Sequence, residues 1–73
     1  MAQETVEVPI TGKIISINVK VGDNVKEGDT LCLIESMKME NPILAPVDGT
    51  VTEIKVAADQ AVNPGEIIAI IEF

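Results

Sequence analysis

The chain has no histidine, tryptophan or tyrosine, a single phenylalanine and a single cysteine in 73 residues. Each scarcity removes a class of function. Without histidine and with one thiol, a zinc or other transition-metal site has almost no ligands to draw on. A Ser/His or Cys/His catalytic pair cannot be built either. Cys32 cannot form an internal disulfide, and it lies in the apolar run Leu31-Cys32-Leu33-Ile34, where it reads as a small core residue and not as a reactive thiol. Basic side chains are also scarce, 5 against 12 acidic ones, which leaves a net charge of −7. That charge repels phosphate backbones and anionic lipid, so neither nucleic acid nor a membrane surface is an expected partner. Residues 1–5 carry neither a basic region nor a long apolar stretch. No run approaches the ~20 apolar residues of a membrane-spanning helix, and the expected compartment is the cytoplasm.

What the chain does have is β-branched and aliphatic residues. Hydrophobic types make up 47% of it, enough for a core without aromatic rings. The length suits one domain, residues 1–73, at a size where a single core only marginally outweighs the entropy of ordering the chain.

An internal repeat organises this material. Sliding the sequence by 37 positions aligns 6–36 with 43–73 without a gap. Pro9 meets Pro46, Gly12 meets Gly49, Ile17 meets Ile54, Val19 meets Val56, Val25 meets Val62, Gly28 meets Gly65 and Glu35 meets Glu72. Apolar character also matches at Val8/Ala45, Ile10/Val47, Ile14/Val51, Leu31/Ile68, Leu33/Ile70 and Ile34/Ile71.

Both units read as strands, because their apolar residues alternate or form short runs between turn residues. Val6, Val8 and Ile10 alternate, as do Ile15, Ile17, Val19 and Val21, whereas Leu31 to Ile34 is continuous, as in a strand buried on both faces. Turns are expected at Thr11-Gly12, Gly22-Asp23-Asn24, Glu27-Gly28-Asp29, Asp48-Gly49 and Asn63-Pro64-Gly65-Glu66, since Gly, Asn and Asp tolerate positive φ. The resulting fold class is all-β: a flattened barrel or sandwich with pseudo-twofold symmetry, its two sheets burying their apolar faces against each other.

The stretch that does not repeat is the connector 37–42, which contains Lys38. Under the twofold, the mate of Lys38 falls just beyond residue 73, so the termini are expected at the opposite end of the domain. Strands over 30–36 and 39–45 make a hairpin with Met37-Lys38 at its tip. A two-residue tip normally adopts a primed turn and prefers Asn-Gly. Met-Lys there overrides local turn chemistry at a cost of roughly 1–3 kcal/mol per strained residue, and such violations concentrate at functional sites. Met37 and Met39 either pack back on the sheet or contact a partner with their adaptable side chains. Glu35 and Glu40 bracket the loop and read as solvated hairpin flanks, since no cleft residues accompany them for acid/base work.

The segment Glu35-Ser36-Met37-Lys38-Met39-Glu40-Asn41 resembles the attachment site of biotin carboxyl carrier domains, whose hallmark is a lysine between two methionines. The likeness continues through 45–51, and upstream through 8–12 and 21–25, so it covers nearly the whole chain. It implies the biotinyl/lipoyl hybrid barrel, a flattened sandwich of two four-stranded sheets. It also implies covalent biotin on Lys38, with Met37 and Met39 as flanking recognition residues and Glu35, Ser36 and Glu40 as hairpin context. Such a domain is a carrier and not a catalyst. A biotin protein ligase would acylate Lys38, and the arm would then take carboxylate from a biotin carboxylase to a carboxyltransferase, with the domain itself monomeric. Ile10-Thr11 stands where Met-Pro is frequent in the family, and Ser36 where Ala is common. No protruding insertion of the kind some acetyl-CoA carboxylase carriers possess separates Val19 from Val25, which leaves the carriers of pyruvate, propionyl-CoA, methylmalonyl-CoA and oxaloacetate enzymes, and small free-standing attachment proteins. The rival is a lipoyl carrier of oxoacid dehydrogenase or glycine cleavage type, which shares the fold but more often has Asp before the lysine and Ala after it.

Overall fold

The computed structural model describes residues 2–73 and shows eight strands. They are β1 (Gln3–Glu7), β2 (Gly12–Ile17), β3 (Asn24–Val25), β4 (Thr30–Ser36), β5 (Met39–Leu44), β6 (Gly49–Ile54), β7 (Ala61–Val62) and β8 (Ile67–Glu72). They form two four-stranded antiparallel sheets, ordered β1-β8-β6-β3 and β5-β4-β2-β7. Adding 37 to each strand of the first unit turns one sheet order into the other. Each sheet therefore holds two strands from each unit, and neither unit can assemble a sheet alone.

The repeat extends to irregularities. In β2 the pairing with β4 shifts between Ile14 and Ser16, and in β6 the pairing with β8 shifts between Val51 and Glu53. These bulges correct the simple alternation expected over 15–21. An inserted residue breaks the period of two, so the fully buried side chain of β2 is Ile14. The strand ends at Ile17, and Val21 sits exposed in a turn.

Buried residues of both sheets merge into one core, and they occupy matched positions: Val6 with Ile43, Val25 with Val62, Leu31 with Ile68, Ile34 with Ile71. Cys32 is matched by Ala69, both almost fully buried, which shows that the site selects a small side chain. Burial pushes the Cys32 thiol up from 9.0 to about 11, so the fold keeps it protonated.

Two expected turns have another physical basis. Gly12 and Gly49 lack positive φ and open strands β2 and β6. A Cβ on Gly12 would stand 2.4 Å from the Glu35 carbonyl oxygen, and one on Gly49 would stand 2.4 Å from that of Glu72. Glycine is required there by close backbone approach. Conversely, one turn was not expected. Asp59 takes φ 70° at the position where the first unit has Gly22 at φ 98°. Side chains close the matched turns: the Asp23 carboxylate accepts from the Lys20 N–H, and the Gln60 amide oxygen accepts from the Ala57 N–H.

Gly12→Ala and Gly49→Ala are expected to lower stability by about 1–3 kcal/mol each, and by similar amounts because their neighbours correspond; urea unfolding measures both. A second expectation follows from Cys32. Between pH 9 and about 11 the unfolded chain releases the thiol proton while the folded chain keeps it. Stability then falls as pH rises through that window. The decline should be steeper in the wild type than in Cys32→Ala, compared by urea midpoints at each pH.

Candidate functional site

Strands β4 and β5 pair from Thr30↔Leu44 up to Ser36↔Met39, so the hairpin tip is Met37-Lys38. Both tip residues lie in the left-handed region, Met37 at φ 54° and Lys38 at φ 65°. Positive φ at both central positions is the mark of a type I′ turn, whose twist matches that of the flanking strands. The strand twist thus imposes a conformation that Met and Lys disfavour.

The base of the hairpin is tied down from the first unit. Ser36 Oγ donates to the Thr11 carbonyl at 2.8 Å across 25 residues of sequence. Beside it, Gly12 packs against the Glu35 carbonyl. In the folded chain Ser36 and Thr11 are bonded to each other. Nothing in the sequence pairs them; only the docking of residues 10–12 against the end of β4 does.

Above this base the tip stands in solvent. Lys38 is exposed, Met37 is 91% exposed and Met39 67%. The methionines therefore do not pack back on the sheet, which leaves them available as contact residues. Lys38 takes no part in either ion pair found among the described residues, Lys13–Asp59 at 3.8 Å and Lys55–Glu53 at 3.4 Å. A shallow open groove runs between the tip and the 10–13 segment, with Met37 and Lys38 at its lip.

Glu35 and Glu40 face each other across the hairpin, with Lys13 opposite Glu35 on the other side. Like charges directly opposite are unfavourable, and the pair lies on the outer surface in water. No cluster of three or more metal-ligating side chains occurs among the described residues.

Ala2 and Phe73 sit where the symmetry requires. Ala2 and Phe73 exchange two backbone hydrogen bonds of 2.9 Å, at the positions matched to Met39 and Ser36. From Met39 the chain runs away from the tip along β5 and reaches Gly49 beside the Glu72 carbonyl, next to Phe73. β5 itself covers about 17 Å of the 36 Å long axis, and residues 45–48 carry the chain on to Gly49. Lys38 and the Ala2–Phe73 pairing therefore occupy opposite ends.

The domain is thus an all-β body that holds the amine of Lys38 on a left-handed turn, at the pole opposite Ala2 and Phe73. The sequence model of the biotin/lipoyl family, described as “Biotin-requiring enzyme”, matches residues 4–71. A biotin carboxyl carrier protein of Streptococcus mutans is 45% identical over 65 residues, covering 89% of this chain and 50% of that one. The biotinylated protein TB7.3 homologue of Mycobacterium leprae is 40% identical over 68 residues, covering 93% of this chain and 96% of the other. Among solved structures, the Kluyveromyces lactis urea carboxylase superposes on 99% of this chain with a TM-score of 0.91 at 30% identity, over 6% of its own length. The chain belongs to the biotin/lipoyl family. It spans half the length of the Streptococcus mutans relative.

If the tip is strained by its residue types, Met37→Asn should raise stability by about 0.5–1 kcal/mol, because Asn tolerates the left-handed region. Thermal unfolding of the two proteins checks this.

Proposed function

We propose that the domain carries covalent biotin on Lys38 and serves as a carboxyl carrier between a biotin carboxylase and a carboxyltransferase. The observation that supports it most is the tip itself: Lys38 held at φ 65° in a two-residue turn, exposed and outside the ion pairs. The residues suit such a group. A primary amine can be acylated, whereas a guanidinium is permanently charged and a poor nucleophile. When bound, biotin supplies a ureido nitrogen that takes up carboxylate and gives it back.

The chain's own share is presentation. In the ligase, the Lys38 amine gives up a proton and attacks the activated biotinyl carbonyl, so that an amide forms and the adenylate leaves. One positive charge is lost, which takes the net charge from −7 to −8. The I′ turn fixes the direction in which Cα of Lys38 projects, while Ser36 and Gly12 keep the hairpin base from bending. Met37 and Met39 offer apolar contact on either side of the amine, and Glu35, Ser36 and Glu40 complete the surface that a partner meets. A carrier that visits successive active sites must leave each one, which suits a small monomeric domain with weak contacts and fast dissociation.

Co-expression with an active biotin protein ligase, followed by intact mass measurement, tests the reading. The wild type should gain one biotinyl group and bind streptavidin, and Lys38→Arg should gain none. A lipoyl increment on the wild type would select the lipoyl carrier instead, and an unmodified wild type would refute both.

A further inference from the structure

The internal repeat supplies a control surface within the same molecule. Each residue on the outer face of the hairpin sheet has a counterpart 37 positions away on the outer face of the other sheet. Leu33 lies opposite Pro42 and Ser16, and Leu44 lies opposite Thr30. On the other sheet the same places hold Ile70 opposite Thr5 and Glu53, and Glu7 opposite Ile67. The edge strand makes the contrast. Outward positions of β5 after Glu40 are Pro42 and Leu44, both exposed, whereas their counterparts on β1 are Thr5 and Glu7. Leu33 is half-buried and lies outside the core cluster, as does its counterpart Ile70, so it extends the apolar face without distinguishing it. At the edge strand, then, one sheet carries Thr5 and Glu7 where the sheet that bears Lys38 carries Pro42 and Leu44, whereas the exchange at Thr30 and Ile67 runs the other way.

Between this patch and the tip stand Glu35 and Glu40, a like-charged cross-strand pair. With Asp59 close by, they outnumber the single Lys13 among them. Their mutual repulsion is relieved by a partner that brings positive charge. A second copy of this chain cannot do so, because it would add the same carboxylates and a further net charge of −7. Nor does the edge of β5 invite an added strand, since Pro42 has no N–H to offer one. The occupant is therefore a protein surface with an apolar centre and a flank of Lys or Arg.

One enzyme must rest on the body of the domain. A ligase acts on the bare amine at the end of a four-carbon stem, so it cannot stand off at the length of a finished arm. Leu44 is six residues from the tip along β5, about 20 Å, and a standard interface of about 800 Å² per partner is wide enough to include both. We infer that the outer face of β4 and β5, centred on Leu33, Pro42 and Leu44 with Glu35 and Glu40 at its tip side, seats the biotin protein ligase. This inference rests on the attachment of biotin at Lys38.

Initial rates of biotin transfer from a biotin protein ligase, followed by intact mass over a range of domain concentrations, provide the test. Pro42→Thr with Leu44→Glu installs the residues that the chain already carries at Thr5 and Glu7. The double variant should raise KM by about tenfold or more with kcat little changed, as expected when an interface anchor is lost. Leu44→Glu alone, at a side chain 48% exposed and so tolerated by the fold, should raise KM in the same direction. Glu7→Leu on the other sheet should leave KM within about twofold of the wild type. Melting curves accompany each variant, and if the double variant melts early the single one decides. KM within about twofold of the wild type in Leu44→Glu overturns the docking face, while biotin on Lys38 in the wild type leaves the carrier reading standing. Failure of the wild type to accept biotin would instead overturn both.

Discussion

Interleaving of the two repeat units is the constraint on which the rest of the domain depends. Each sheet draws two strands from each unit, so the apolar faces exist only once both units are in place. Burial then acts on both sheets together, and the matched core positions Leu31/Ile68 and Ile34/Ile71 meet in one cluster. Most pairings are distant in sequence, which makes the fold slow to close but leaves no unit free to unfold by itself. The backbone contacts at Gly12 and Gly49 belong to the same constraint, since each brings the start of one strand against the end of another.

From that scaffold the function needs only one asymmetry. The twofold gives the domain two equivalent poles; one is closed by the Ala2–Phe73 pairing and the other by the Met37-Lys38 turn. The strained turn is affordable because the sheets beneath it determine its shape independently of its residue types. Rigidity at the base and exposure at the tip then serve the same end. The amine is presented in one direction, yet nothing around it competes for it.

Much of this was legible in the sequence, for a particular reason. A gapless offset of 37 residues carries Gly and Pro positions with it, and these report turns and close approaches more reliably than apolar residues report strands. The tip at Met37-Lys38 followed from the lengths of its flanking strands. What stayed hidden depends on three dimensions. The bulge after Ile14 is invisible to alternation, so the inward face of β2 was misread beyond it. Gly12 looked like a turn residue because close approach and positive φ select the same amino acid. The Asp59 turn lacks Gly and Pro at its centre, although its counterpart Gly22 could have revealed it. The Ser36–Thr11 bond joins two residues that show no pattern together.

The hairpin of β4 and β5 therefore carries both Lys38, the proposed attachment residue, and, beside it, the edge that distinguishes this sheet from its counterpart. The proposed chemistry falls on one of five lysines. Peptide mapping by tandem mass spectrometry, on protein isolated from cells with their own ligases, tests that choice most directly. Biotin is expected on Lys38 and on none of Lys13, Lys20, Lys26 or Lys55. Biotin on any of those four, or a different acyl group on Lys38, would contradict the proposal.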